Sequence, residues 1–120
     1  MALPGARGAA LVDWSSGLAL GTAGDSPVGD HETTAAETAE LARAAAEYES
    51  FAPGPDDEGT PGPPVEDLIV TTRTGYHVLR FVETSFDSSV FLHLWLDRTD
   101  GNLALARHRL RALAEGLVLR

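Results

Sequence analysis

Four histidines, two adjacent serines, a run of three acids and an arginine trio are the side chains of this 120-residue sequence with chemistry to offer. The histidines His31, His77, His93 and His108 never stand in pairs at ligand spacing on one element, and H-E-x-x-H is absent. Asp30-His31-Glu32 can be drawn as a metal site, but consecutive residues converge poorly on an ion, and a helix N-terminus explains the acids better. His93 lies between Phe91 and Trp95 in an apolar run, which reads as a hydrogen-bonded core or interface histidine. Ser15 and Ser16 lack both a G-x-S-x-G setting and a histidine nearby in sequence, and read as turn residues. The chain has no lysine for a P-loop and no G-x-G-x-x-G after a strand. Asp56, Asp57 and Glu58 sit in a proline- and glycine-rich stretch where nothing would hold them in a reactive geometry, so they read as solubilising. No catalytic, cofactor or metal site is expected, and the chain is not read as an enzyme.

Arg107, Arg109 and Arg111 concentrate positive charge on the last helical segment of an acidic protein. Residues two apart on a helix are rotated by ~200°, so Arg107 and Arg111 share a face while Arg109 lies elsewhere. Two readings stand: a solvated helix surface, or a docking patch for an acidic partner built on Arg107 and Arg111.

The elements that must position these groups are legible in order. Residues 6 to 22 read as two short strands joined at Trp14-Ser15-Ser16-Gly17. Asp30 can cap an alanine-rich helix reaching Glu49, though Thr34 and Glu37 also have capping-box spacing. Leu41, Ala45 and Tyr48 share one face of that helix, with Glu37, Glu40, Arg43 and Glu47 forming a solvated, ion-paired face. Residues 53 to 64 follow as a proline-rich acidic connector, expected to be poorly ordered.

Strands are expected near Leu68 to Thr72, Tyr76 to Glu83 and Ser89 to Asp97, with turns at Thr74-Gly75 and around Phe86-Asp87. Val90, Leu92, Leu94 and Leu96 oppose Phe91, His93 and Trp95, while Val78 and Val82 oppose Leu79 and Phe81. Strands apolar on both sides need cover on both sides. The first of the three turns polar after Val70, the character of a sheet edge. A closing helix with Asp100 or Asn102 as cap carries Leu103, Ala106, Leu110, Leu113 and Leu117 in one stripe and ends at Gly116. The order strand, strand, helix, three strands, helix suits an α+β fold with helices on the faces of an antiparallel sheet.

Bulk properties narrow the partners. The formal charge of −9 falls wholly in the first half, which holds eleven acids against two arginines, while the second half balances seven against seven. Nucleic acid and anionic membranes, which need clustered cations, are not expected partners. The chain has no cysteine, which fits a reducing compartment, and it shows neither a signal peptide nor an apolar run long enough to span a bilayer. A single cytoplasmic domain is the expectation.

Taken together, "LPGARGAALVDWSSGLALGTAG", the capped alanine-rich helix, "EDLIVTTRTGYHVLRFV" and "NLALARHRLRAL" resemble the roadblock family, the dynein light chain type of domain also found as bacterial regulators of small Ras-like GTPases. The resemblance runs from about residue 3 to 115. It implies a five-stranded antiparallel sheet in the order 2-1-5-4-3, roadblock/profilin-like, with helices on both faces. It also implies a homodimer in which the third strand pairs with its twin and the alanine-rich helices pack beside it. In this sequence those parts are Leu68, Ile69, Val70, Thr71, Thr72, Arg73 and Thr74, with Leu41, Ala45 and Tyr48 on the helix.

Family members usually carry a further helix before the equivalent of Leu3-Pro4-Gly5. Either the true start lies upstream, or the sheet face under the closing helix is half covered and leaves an apolar groove that a partner or another copy could fill. The function implied is a non-enzymatic homodimeric adaptor for a small Ras-like GTPase, within a bacterial signalling set that includes a sensor-kinase-like membrane protein. The alternative is a dimeric scaffold that bridges other proteins without a GTPase. Small-molecule sensing would require a closed pocket lined by His77, His93 or Arg80.

Overall fold

The computed structural model describes residues 3–52, 63–82 and 89–118, apart from the side chains of Leu117 and Val118. Five strands and two helices follow one another as β1 (Ala6–Asp13), β2 (Leu18–Gly24), α1 (His31–Glu47), β3 (Asp67–Thr71), β4 (Gly75–Val82), β5 (Val90–Asp97) and α2 (Leu103–Val118). The strands form one antiparallel sheet in the order β2-β1-β5-β4-β3, as the resemblance implies. The proline-rich stretch except Pro63 and Pro64, its acids Asp56, Asp57 and Glu58, and the turn around Phe86-Asp87 lie outside the described residues.

Local chemistry explains the boundaries. Asp13 accepts from both the backbone N–H (2.8 Å) and the hydroxyl (2.6 Å) of Ser15, and Gly17 takes a φ of +79°, so the turn residues close the β1–β2 hairpin. Those hydroxyl and amide donors hold the Asp13 carboxyl below its ordinary range. Asp30 caps α1, accepting from the N–H of Glu32 at 3.0 Å and the hydroxyl of Thr33 at 2.7 Å, which decides against the later start at Thr34. Asn102, not Asp100, caps α2 by accepting from the N–H of Leu105 at 3.0 Å.

Alternation along β4 and β5 feeds two cores. On one face Phe91, Leu79, Phe81, Val12 and Ala10 meet Ala35, Ala39 and Ala42 of α1. On the other, Val78, Leu94 and Leu96 meet Ala106 and Leu110 of α2, and Val82 and Val90 meet Ala114. Both double-faced strands are thus covered on both sides, as their apolar pattern requires.

Four helix details differ from expectation. The face that α1 buries is Thr34, Ala35, Ala39, Ala42 and Ala45, so Ala45 belongs to the chain's own core while Leu41 and Tyr48 are exposed. Small residues win because they let the helix axis approach the sheet, and the larger Leu41 and Tyr48 are turned outward. Arg43 donates to the carbonyl of Trp14 at 3.4 Å, and no ion pair forms on that face among the described residues. In α2, Ala114 takes the buried place expected of Leu113, which is 59% exposed, and the helix continues past Gly116 to Val118. Stepping from Leu110 to Ala114 follows the 3.6-residue turn as well as stepping to Leu113, and the smaller side chain fits against Val82 and Val90.

Candidate functional site

The outer strand β3 is bonded to β4 on one side, from Asp67 opposite Arg80 to Thr71 opposite Tyr76, and has no strand on its other side among the described residues. Its edge therefore presents backbone donors and acceptors ready for another strand. Ile69 and Val70 in the middle of β3 are each more than a third exposed, one on each face of the sheet. Leu68 turns inward against the α1-side core. Thr72 lies just past the strand, where its N–H reaches the carbonyl of Gly75 at 2.8 Å and its hydroxyl accepts from the Gly75 N–H at 2.9 Å. This turn ends the strand one residue earlier than the sequence suggests, with Arg73 and Thr74 at its tip.

Val70 sits on the face that α1 covers, and exposed apolar side chains recur there. Leu41, Tyr48 and Phe51 are all more than 40% exposed, and the rings of Tyr48 and Phe51 lie 6.0 Å apart. Phe51, on the short 3-10 turn Glu49–Phe51 after α1, was not among the sequence candidates. An outer strand that exposes apolar side chains, on a sheet face with further exposed apolar groups, is a candidate contact surface.

Arg107 and Arg111 behave differently from one another. Arg107 lays its Nε 2.9 Å and its Nη2 3.3 Å from the carboxylate of Asp67 in β3, a contact that raises its pKa further. Arg111 stays exposed. Half of the predicted patch is therefore occupied within the chain itself, tying α2 to the edge strand.

The histidines His77 and His93 come together, which their spacing did not reveal. The Nδ1 of His77 and the Nε2 of His93 are 2.9 Å apart, the rings stack at 5.2 Å, and the indole of Trp95 lies parallel to His77 at 6.3 Å. His93 is 4% exposed, and burial, helped by the neighbouring His77, pushes its pKa down to about 4. Burial lowers His77 as well. This is the hydrogen-bonded core histidine expected at His93. The cavity beside it, lined among others by Ala10, Thr34 and Ala35, holds about 10 Å³, room for at most one water, and neither His77 nor Arg80 lines it. No group of three or more His, Cys, Asp or Glu is placed to hold a metal among the described residues.

On the α2 side, β1 and β2 remain half covered. α2 packs against β4 and β5, while Leu18, Leu20 and Leu113 are each more than half exposed. No described helix is long and apolar enough to cross a membrane.

No protein-family model and no curated protein matches this chain. Solved structures do. Myxococcus xanthus MglB superposes with a TM-score of 0.70 at 19% identity, covering 94% of this chain and 74% of that one. A structure described as MglB with tetrameric arrangement gives 0.69 at 20% identity, covering 96% and 76%. A Roadblock/LC7 domain from Streptomyces avermitilis gives 0.65 at 18% identity, covering 96% and 84%. The chain therefore has the roadblock/LC7 fold, the one its sequence resembles.

Proposed function

We propose that this chain is a non-enzymatic, homodimeric adaptor that binds a small Ras-like GTPase and sets its activity or location in bacterial signalling. The observation that carries the proposal is the unpaired edge of β3, with Ile69 and Val70 exposed on it and Leu41, Tyr48 and Phe51 exposed on the α1 side. A two-fold axis beside Leu68 to Thr71 would join the two sheets into one and bring the α1 helices together, with Thr72, Arg73 and Thr74 at the rim. Such a contact satisfies the edge's backbone groups and removes the apolar side chains from water.

The GTPase part rests on the resemblance to roadblock regulators and on the likeness to the MglB structures. Arg111 is the exposed remnant of the cationic patch and is assigned to partner contact, with Arg107 held by Asp67. The sensor-kinase-like membrane partner finds no support in the fold and is left out of the proposal. The second reading is a scaffold that bridges other proteins without a GTPase; the tetrameric arrangement named for one structural neighbour suits both readings.

Immobilised chain exposed to small Ras-like GTPases from its own genome, loaded with GDP or a GTP analogue, decides between these readings. Retention of one GTPase in at least one nucleotide state supports the adaptor. Retention of none in either state removes the GTPase from the account and leaves the scaffold.

A further inference from the structure

Three arginines far apart in sequence converge at one end of the sheet. Arg7 from β1, Arg73 from the β3–β4 turn and Arg98 just after β5 line an open cleft of about 470 Å³ together with Thr74, Asp97 and Thr99. From them we infer an anion-binding site that takes the phosphate or diphosphate group of a small ligand.

The argument starts from what these cations do not do. Acids outnumber arginines by 18 to 9 in this chain, yet the ion pairs among the described residues involve only Arg80 and Arg107. Among the described residues, Arg7, Arg73 and Arg98 meet no carboxylate at ion-pair distance. The cleft holds three guanidiniums against the single carboxylate of Asp97, whose Oδ1 accepts from the N–H of Thr99 at 2.8 Å. Its local charge is therefore positive in a molecule of net charge −9.

Two of the guanidiniums are held in place before any ligand arrives. Arg7 lies over the Trp95 ring, 4.2 Å from its centroid, and Trp95 is backed by the parallel ring of His77. Arg98 donates from Nη1 to the carbonyl of Thr72 at 3.0 Å and lies over Tyr76 at 5.9 Å. Among the described residues only one of its guanidinium N–H groups is used, which leaves the others for an oxyanion. The hydroxyls of Thr74 and Thr99 add neutral donors. Planar forks with several free donors match a group with many acceptor oxygens, the property that distinguishes phosphate.

The lining also separates a small ligand from an acidic protein segment. A docked peptide needs apolar contact around its charges. The exposed large apolar residues Leu18, Leu20, Val28, Leu41, Tyr48, Phe51, Ile69, Val70 and Leu113 include none that lines this cleft. The site stands apart from the GTPase reading and does not depend on it.

Amide spectra of the full chain, titrated with pyrophosphate and with inorganic phosphate in a phosphate-free buffer, test the site. Saturable shifts confined to residues 5–8, 72–76 and 96–100, absent with sodium chloride at matched ionic strength, support it. Arg73→Ala, which loses no hydrogen bond or ion pair among the described residues, should leave the rest of the spectrum unchanged and weaken binding about tenfold or more; Arg7→Ala should weaken binding similarly, with added shifts around Trp95 from the lost stacking. Shifts that do not saturate, shifts equal to those with chloride, or unchanged affinity in both variants overturn the proposal. Saturation by a glutamate peptide without any by pyrophosphate overturns it in favour of an acidic protein segment. A loss of dimer mass in Arg73→Ala with pyrophosphate binding intact assigns Arg73 to a second copy and removes it from the site.

Discussion

Arg107 grips both carboxylate oxygens of Asp67, at 2.9 Å and 3.3 Å, and so fastens the closing helix to the first residue of the edge strand. Asp67 also faces Arg80 at 3.8 Å, whose side chain is only 14% exposed. The two ends of this network are unequal. Arg107→Ala removes a guanidinium that is 44% exposed and solvent-screened, and should cost little. Asp67→Ala leaves the largely covered Arg80 with Glu66, at 3.9 Å, as its one carboxylate among the described residues and should cost about 2 kcal/mol. Urea unfolding of both variants measures the difference, and equal losses would refute the network.

The histidine pair predicts an acid-sensitive fold. His93 is lowered from 6.5 to about 4 by burial, so the unfolded chain binds its proton at a pH where the folded chain does not. Stability should be level above pH 6.5, fall as pH drops towards 4, and lose about 3 kcal/mol over that window from His93 alone. The lowered pKa of His77 acts in the same direction. His93→Leu should flatten most of this slope, read from melting temperatures across the range.

Two glycines should answer oppositely to alanine. A Cβ on Gly75 would stand 2.7 Å from the Leu96 carbonyl and 3.1 Å from Trp95 Nε1, so Gly75→Ala should cost about 1–3 kcal/mol. A Cβ on Gly21 would meet nothing within 4 Å, and Gly21→Ala should be neutral or raise stability by up to about 1 kcal/mol by restricting the unfolded chain. Thermal melts of the two variants check both signs.

Much of this architecture was legible because its signals are local. Asp30, the Trp14–Gly17 turn and the double-sided alternation of β4 and β5 fix elements through neighbours in sequence, and a five-strand order followed from the family resemblance. Choices that depend on distance in space were not legible. The preference of α1 for its alanine face over Leu41 and Tyr48 depends on how near the sheet lies, and the place of Ala114 depends on Val82 and Val90. His77 meets His93, and Arg7 meets Arg73 and Arg98, only once strand register is set, since Gly8 pairs with Trp95 and His77 with the same residue from the other side. Arg107 looked like a partner contact for the same reason: Asp67, its actual partner, is forty residues away.

Self-association through β3 is the claim on which the functional proposal stands. Ile69→Lys or Val70→Lys would place a charge in the middle of the edge, where the two side chains are 39% and 38% exposed. Sedimentation velocity at micromolar concentration should give the unaltered chain a mass near twice its 12.7 kDa, and should give Val70→Lys the single-chain mass with its melting cooperative. An unaltered chain that sediments only as a monomer, or a Val70→Lys variant that remains a full dimer, would contradict the account.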